Sequence, residues 1–247
     1  MVRVEGLIKV FRGGGRGEVR AVDGVSFEAR PGEVFGLLGP NGAGKTTTLR
    51  VLSTVFRPTA GTIEIDGVDA VARPDEVRRR IGFLSGATGV YDRLTTREQA
   101  EYYARLHGLE GADLRRRVDE TLRILQAEEF ADRPCGTLSS GQKQKASLAR
   151  TVVHDPPVLV LDEPTANLDV LVARAVTEFI RAARDAGRTV LLSTHDMGEA
   201  ERLCDRLAVI HRGRIRAAGT VAEIRAAAGG AADLETAFFR LVGEDAP

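Results

Sequence analysis

The chain has 247 residues with 35 basic and 35 acidic side chains, so its formal net charge at neutral pH is zero. A chain of this length can bury a large core as one domain or as one domain with a subdomain. The balanced charge gives no sign of a polyanionic partner, and two cysteines, Cys135 and Cys204, are too few for a disulfide framework or a metal cluster. No signal peptide and no apolar run of ~18 residues is visible, so we expect a protein of the reducing cytosol. Any membrane part would belong to another chain.

The N-terminal part of the sequence, up to residue 84, predicts mainly β-structure around one helix-forming stretch. Spaced apolar residues predict an edge strand over 2–11, and a glycine-rich run predicts a flexible loop over 12–17. Two stretches alternate between apolar and polar residues like strands with one wet face, namely Val25–Ala29 and Thr62–Gly67. A short charged helix over 75–80 and a core strand at Ile81–Leu84 follow.

The most informative stretch begins with a short apolar run at Val34–Leu38 and continues into Gly39–Thr46. The run predicts a buried strand, and residues 47–52 predict a helix. A glycine loop between a strand and a helix lets backbone N–H groups and the helix N-terminus converge on phosphate. An ordinary glycine turn is the alternative, but the flanking elements favour a nucleoside triphosphate site. Its candidate ligands are Gly39, Pro40, Asn41, Gly42, Ala43, Gly44, Lys45, Thr46 and Thr47.

Within this phosphate loop, Lys45 is expected to reach the β- and γ-phosphates and the Thr46 hydroxyl to hold Mg²⁺. Two carboxylates, Asp162 and Glu163, follow the apolar run Val158–Leu161 directly. Acids at the end of a buried strand are costly unless they have a function there, although a surface acidic turn is the alternative. We predict that Asp162 binds Mg²⁺ through its water shell and that Glu163 polarises the attacking water.

Helical patterns fill the stretch from residue 95 to about residue 150. A weak capping box at Thr96 and Gln99 predicts the start of one helix, and apolar spacing predicts another over 114–125. Ser139 is a natural N-cap, so the free N–H groups of Ser140, Gly141 and Gln142 predict a second anion site. Taken alone, this stretch is only a good helix start.

The C-terminal part alternates strands and helices. The predicted elements are buried strands at Val158–Leu161 and Thr189–Ser193, a helix over 170–186, a strand at Leu207–Ile210 and a short helix over 233–241. This alternation predicts a mostly parallel sheet covered on both faces.

Four motifs stand out together in the chain, namely Gly39–Thr46, Leu138–Gln142, Asp162–Glu163 and His195. They occur in the order and spacing of an ABC-transporter ATPase subunit, which the chain resembles over nearly its whole length. The resemblance implies an α/β fold: a P-loop NTPase core with an antiparallel β subdomain and an inserted helical subdomain. The implied divisions are 1–84 and 151–225 for the core with its β subdomain, 85–150 for the helical subdomain with the signature motif, and 226–247 for a C-terminal helical tail.

The resemblance also implies a head-to-tail dimer, of two copies or of a copy and a paralogue, with two ATP molecules between the chains. In that dimer, Ser139 and Gly141 of one chain contact the γ-phosphate that Lys45 of the other holds. The resemblance further implies that Phe11 stacks on adenine and that His195 contacts the γ-phosphate. The loop Ala166–Asp169 would cross the dimer interface, with Asp169 in the nucleotide site. Glu163, His195 and Lys45 are thus the expected catalytic residues, and Thr46 and Asp162 the expected Mg²⁺ ligands.

One position departs from the family pattern. The family usually has a glutamine after the strand equivalent to Ile81–Leu84, but here Ser85–Gly86 follows and the first glutamine is Gln99. The stretch 84–95 is similar to the NatA-type sodium-export branch, which pairs with ABC-2-type export permeases. The resemblance therefore implies an ATP-hydrolysing subunit on the inner face of the cell membrane that powers Na⁺ or drug-type efflux. It would bind the permease through a groove near Gly86–Arg93.

Two other function classes remain open on the residues alone. A soluble ABC-type mechanical ATPase would act on nucleic acid or ribosomes, but such chains usually carry a coiled-coil insert, zinc fingers, two cassettes or a basic face. This chain has a single cassette and balanced charge, and we predict no nucleic-acid partner. A regulatory nucleotide-binding module without turnover is the third class, and the presence of Glu163 argues against it.

Overall fold

A computed structural model describes residues 1–13, 17–86 and 89–243. Residues 14–16 of the predicted glycine loop lie outside the described residues. The strands in these ranges are β1 (Val2–Gly13), β2 (Gly17–Ala29), β3 (Val34–Leu38), β4 (Ala60–Ile65), β5 (Val68–Asp69), β6 (Ile81–Leu84), β7 (Val158–Asp162), β8 (Thr189–Thr194), β9 (Arg206–His211) and β10 (Arg214–Gly219). The helices are α1 (Lys45–Leu52), α2 (Pro74–Arg80), α3 (Thr96–Leu106), α4 (Gly111–Ile124), α5 (Ser140–Val152), α6 (Val170–Asp185), α7 (Met197–Leu203), α8 (Val221–Ala227) and α9 (Leu234–Val242).

The strands form two sheets that meet over a shared core. The larger sheet has the order β10-β9-β3-β8-β7-β6 and is parallel except for β10, which confirms the predicted mostly parallel sheet. The smaller sheet, β2-β1-β4-β5, is antiparallel. Strand β3 lies between two cores: Phe35 and Leu37 pack with the smaller sheet and α1, whereas Val34 and Leu38 pack with the helices of the opposite face. Successive side chains of a strand point to opposite faces, so an all-apolar strand belongs in this layer.

Strand β1 is an interior strand of its sheet, so the prediction of an edge strand is wrong. Val2 pairs with Ala29 of β2 on one side and with Ile65 of β4 on the other. Apolar spacing shows that a strand has a buried face, but it carries no information on how many strands bond to its edges.

Helices α3, α4 and α5 lie between β6 and β7 in the chain. The predicted capping box at Thr96 and Gln99 is wrong by one residue: Thr95 is the N-cap and Glu98 completes the box. Gln99 is instead fully buried, where its Oε1 accepts from the backbone N of Tyr91 at 3.1 Å. Thr95 with Glu98 and Thr96 with Gln99 are two overlapping capping patterns in the sequence. The helix uses the first pattern, because the Gln99 side chain is buried elsewhere.

The later elements follow the predicted order, with additions. Strand β10 and helices α7 and α8 were not predicted, because their runs are short and mostly polar or alanine-rich. None of the helices in the described ranges has the length and apolar character that crossing a bilayer requires. The division into core, helical subdomain and tail stays a prediction.

Candidate functional site

The phosphate loop connects β3 to α1 as the sequence predicts. Gly44 is the N-cap of α1 with φ of 108°, a backbone conformation that favours glycine. Gly39 lies against β9, where a Cβ atom would collide with the carbonyl oxygen of Ile210. Both glycines are therefore needed for the loop to turn closely over the end of β3. Pro40, Asn41 and Gly42 form its exposed tip, Ala43 is buried, and Thr47 lies in the first turn of α1.

Lys45 is buried beneath this loop. Its Nζ donates to the carbonyl oxygens of Gly39 at 2.6 Å and Pro40 at 3.2 Å and lies 3.6 Å from Oε1 of Glu163. Burial lowers the pKa of the Lys45 ammonium, and the charge of Glu163 opposes that shift. The ammonium is therefore placed at the centre of the loop, where it can exchange carbonyl contacts for phosphate oxygens.

The Asp162 carboxylate joins β7 to the phosphate loop. Its Oδ1 accepts from the Thr46 hydroxyl at 2.9 Å and from the Ser193 hydroxyl at 2.7 Å. No group of three or more His, Cys, Asp or Glu side chains suited to a metal exists among the described residues. One carboxylate beside one hydroxyl nevertheless fits Mg²⁺, which usually takes one or two carboxylates and completes its shell with substrate phosphates and water. Ser193 is a partner that sequence reasoning missed.

Glu163 follows Asp162 and faces two other predicted catalytic residues. Its Oε1 lies 3.2 Å from Nδ1 of His195, at the end of β8, and 3.6 Å from Nζ of Lys45. Glu163 also lines two cavities of about 470 and 440 Å³. The structure therefore brings the three predicted catalytic side chains together at one carboxylate oxygen.

The predicted adenine-stacking residue, Phe11, lies near the end of β1 and is partly exposed. Its ring packs edge-on against Phe56 with centroids 5.4 Å apart, and Nζ of Lys9 lies 4.9 Å from the Phe11 centroid. These contacts hold an aromatic ring in a fixed orientation, as a stacking platform requires.

The second predicted anion site begins α5, which we call the signature helix. Ser139 is its N-cap, its hydroxyl accepts from the Gln142 backbone N at 3.3 Å, and Gln142 completes a capping box. Ser139 and Ser140 are exposed, whereas Gly141 is buried, and a Cβ atom there would lie 2.5 Å from a methyl group of Val172. Gly141 is therefore required by packing on α6 within the chain, a reason that sequence reasoning missed.

The structure does not bring the signature helix and the phosphate loop together within one chain. Among the described residues, no hydrogen bond or ion pair joins Ser139–Gln142 to Gly39–Thr46. Asp169 caps α6 and is exposed. Ser139, Ser140 and Asp169 are exposed and thus accessible to another molecule.

The position of the missing glutamine lies beside Asp162, the predicted Mg²⁺ ligand. A Cβ atom on Gly86 would lie 3.8 Å from the backbone oxygen of Asp162, and Gly86 lines the 470 Å³ cavity with Glu163. Ser85 is buried there and already has partners. Thr88, a further candidate to replace the glutamine, lies outside the described residues.

The glycine loop encloses a buried lysine, with a hydroxyl–aspartate pair beside it and a second carboxylate 3.6 Å from the lysine. These features define a phosphate-loop nucleoside triphosphatase. Residues 22–166 match the ABC transporter family, and the chain belongs to it. The chain is accordingly an ATP-binding subunit of an ABC transporter and an ATP hydrolase.

Curated relatives confirm the predicted export branch. The chain is 40% identical over 198 residues to the ABC transporter ATP-binding protein NatA of Bacillus subtilis, covering 80% of each. It is 41% identical over 224 residues to the Nod factor export ATP-binding protein I of Ralstonia nicotianae, covering 91% of this chain and 68% of that protein. It is also 40% identical over 228 residues to the daunorubicin/doxorubicin resistance ATP-binding protein DrrA of Streptomyces peucetius, covering 92% and 68%.

Solved structures agree with this assignment. An ATP-binding subunit of an ABC transporter superposes with a TM-score of 0.87 at 30% identity, covering 98% of this chain and 99% of that one. A dimeric ATP-binding cassette in a post-hydrolysis state, bound to ADP and phosphate, superposes with a TM-score of 0.81 at 26% identity, covering 89% and 98%. The predicted fold is confirmed.

Proposed function

We propose that this chain powers export through a separate integral-membrane permease of the ABC-2 type by closing as a head-to-tail dimer on two ATP molecules. The observation that carries the proposal is the Glu163 carboxylate, held between Lys45 and His195 beside the phosphate loop. Relatives named for Nod factor export and for drug resistance support the direction of transport.

In this mechanism, the backbone N–H groups of Gly39–Thr46 and the Lys45 ammonium bind the β- and γ-phosphates. Thr46 and Asp162 are the residues that would hold Mg²⁺, which supplies neutralisation of charge on the phosphate oxygens. Glu163 takes a proton from the water that attacks the γ-phosphorus, and ADP leaves on the opposite side. His195 orients Glu163 through Nδ1 and keeps its other ring nitrogen for the γ-phosphate.

The exposed surface around the loop Ala166–Asp169 supports a dimer. Val170 and Leu171, which follow this loop, are 83% and 79% exposed, more than any other large apolar side chain in the described ranges. Two adjacent exposed apolar side chains lose contact with water when a second chain covers them. We place these residues at the edge of the dimer interface, with Ser139 and Gly141 of each chain on the nucleotide of the other.

A second apolar surface supports contact with a permease. Tyr91 is 53% exposed, and Tyr102 and Leu106 on α3 are 49% and 63% exposed. Tyr91 belongs to the segment Gly86–Arg93 of the predicted groove, and we place Tyr102 and Leu106 on the same docking surface. We place the chain at the inner face of the cell membrane, held there by the permease.

Co-purification with the permease tests this function. We expect the tagged chain to retain a multi-spanning membrane protein in detergent, and Leu106→Ser to lose it while keeping ATP binding. Ile124→Ser is the matched control, because Ile124 is 52% exposed on the neighbouring helix α4. Retention of ribosomes or nucleic acid in place of a membrane protein would favour the mechanical ATPase.

A further inference from the structure

Glu163 leaves strand β7 in a conformation that L-residues seldom adopt. Its φ is 48°, in the left-handed region, which is unfavourable for a residue with a side chain. Such a conformation persists where surrounding contacts fix it. One contact comes from β8, where the backbone N of Glu163 donates to the carbonyl oxygen of Ser193 at 3.2 Å and to its hydroxyl at 3.1 Å. Further contacts act on the next two residues.

Pro164 is held by a side chain of the signature helix. Nε2 of Gln144 donates to the carbonyl oxygen of Pro164 at 2.7 Å, and Pro164 is buried. Proline has no N–H group, so this carbonyl is its single backbone hydrogen-bonding group. The bond therefore ties the signature helix to the residue directly after Glu163.

Thr165 is held by α7. Its hydroxyl donates to Oε1 of Glu199, a buried carboxylate whose own backbone N donates to Oδ1 of Asp196 at 2.8 Å. Thr165 is thus fixed by the core of the protein. Among the hydrogen bonds of the described residues, the bond from Gln144 is the one on this segment that depends on the position of the signature helix.

The same helix carries the residues that meet the second nucleotide. Ser140 and Gln144 are four residues apart, so they lie on one face of the helix, and both line the 470 Å³ cavity that Glu163 lines. A movement of the helix that brings Ser139–Gly141 onto a phosphate also moves the Gln144 amide. Through Pro164, that movement reaches the backbone beside Glu163.

We propose that Gln144 is a positioning residue that couples the signature helix of one protomer to Glu163 of the same protomer. The inference rests on the dimer mechanism proposed above. When Ser139 and Gly141 bind the nucleotide held by the partner, Gln144 sets Pro164 and with it the orientation of the Glu163 carboxylate. Hydrolysis in one composite site then depends on the nucleotide in the other. Gln144 itself touches no substrate.

The first test replaces the donor and keeps the shape. Gln144→Met should lower kcat about 10- to 100-fold, because misplacing a catalytic group by ~1 Å has an effect of that size. KM for ATP should stay within about twofold, since the phosphate loop is untouched. Gln144→Lys restores a donor and should recover most of kcat. Thermal unfolding checks that each variant folds. If Gln144→Met does not fold, Gln144→Glu replaces it, because glutamate has a similar shape and its carboxylate has no donor.

The matched control is Lys145→Met, one residue along the same helix. The Lys145 ammonium donates to the carbonyl oxygen of Gln126 at 3.3 Å, and none of its hydrogen bonds within the described ranges reaches the segment after Glu163. Its turnover should equal that of the wild type. Equal losses in Lys145→Met and Gln144→Met would assign the effect to general disturbance of the helix and overturn the proposal.

Mixed dimers distinguish an effect on Glu163 from an effect on the signature motif. A limiting amount of wild type with excess Glu163→Gln gives dimers with one competent base and sets the reference turnover. Limiting Gln144→Met with excess Glu163→Gln should fall about tenfold or more below this reference. A limiting amount of wild type with an excess of the double variant Gln144→Met/Glu163→Gln should match the reference turnover.

The proposal would be overturned if limiting Gln144→Met with excess Glu163→Gln matched the reference turnover while limiting wild type with the excess double variant fell below it. That result would mean that Gln144 acts on the nucleotide of the partner through the signature motif. Turnover at the wild-type rate in folded Gln144→Met would also overturn the proposal. Failure of the underlying function looks different, because Glu163→Gln alone would then hydrolyse ATP normally.

Discussion

The Nδ1 atom of His195 lies 3.2 Å from Oε1 of Glu163, and Nζ of Lys45 approaches the same oxygen to 3.6 Å. Both side chains therefore converge on one oxygen of the carboxylate that the proposed mechanism assigns to the attacking water. In the proposed mechanism, the Lys45 ammonium moves to the phosphates when ATP binds, and Glu163 keeps its contact with His195 beside the attacking water.

Glu163→Gln keeps the shape of the side chain and removes the proton acceptor. We expect hydrolysis to slow by about 10²–10⁴-fold, the usual contribution of a general base. ATP binding should persist, so the variant should accumulate as a closed dimer that size-exclusion chromatography detects in ATP. Wild-type turnover in this variant would show that another group activates the water.

Lys45→Ala tests the phosphate loop. The change removes the ammonium that the loop encloses, so ATP affinity should fall severely or be lost in a titration with a fluorescent ATP analogue. Near- and far-ultraviolet circular dichroism should match the wild type, because the side chain binds ligand and fills little of the core. Undiminished affinity in a folded variant would contradict the assignment of Lys45.

Gly141→Asp should prevent ATP-driven dimerisation, but the packing of Gly141 on Val172 adds a second effect. A side chain at 141 collides with Val172, so the single variant should also unfold at lower temperature. Adding Val172→Ala makes room and should restore much of the thermal stability without restoring the dimer. Recovery of ATP-driven dimers in the double variant would reduce Gly141 to a packing residue.

His154 should make the protein less stable in acid. Its ring stacks on His107 with centroids 3.5 Å apart. Burial is the larger cause and the charge of His107 the second cause of a pKa of His154 lowered to about 4. The unfolded chain therefore binds a proton that the folded chain rejects, so stability falls as pH drops from about 6.5 toward 4. Between about pH 7.5 and 5, this difference in proton binding by His154 should lower the free energy of unfolding by about 2 kcal/mol.

His154→Gln tests this by urea unfolding at the two pH values. Glutamine can keep the bond that Nε2 of His154 shares with the Ile81 carbonyl oxygen at 3.0 Å, but it does not titrate. The variant should therefore lose less stability in acid than the wild type. An identical loss in both proteins would assign the acid sensitivity to other groups.

The parts of the site that sequence predicted are those set by short stretches of chain. The phosphate loop and the Ser139 cap depend on residues within about one turn of each other, so their pattern is visible locally. The strand ending in Asp162 is equally local, because four apolar residues run directly into two acids.

The parts that sequence missed join distant residues. The Ser193 hydroxyl bonds to Asp162, and the Gln144 amide bonds to Pro164, through side-chain contacts that only tertiary packing creates. Neither glutamines nor serines have a pattern that marks such a partner, because most of them face water. The interior position of β1 was missed for a similar reason, since strand pairing is a property of the sheet.

The central claim is that two chains share each catalytic site, and turnover in a mixture of Lys45→Ala and Gly141→Asp tests it most directly. Each variant alone should be nearly inactive, because both of its composite sites are damaged. The mixed dimer holds one site with Lys45 and Gly141 both intact, so mixing should raise turnover above that of either variant alone. Turnover per dimer should stay below half of the wild-type value, because the second site binds no nucleotide and the coupling through Gln144 is lost. Restored activity should rise with total protein concentration. No recovery on mixing, with wild-type turnover independent of dilution, would contradict the shared-site mechanism.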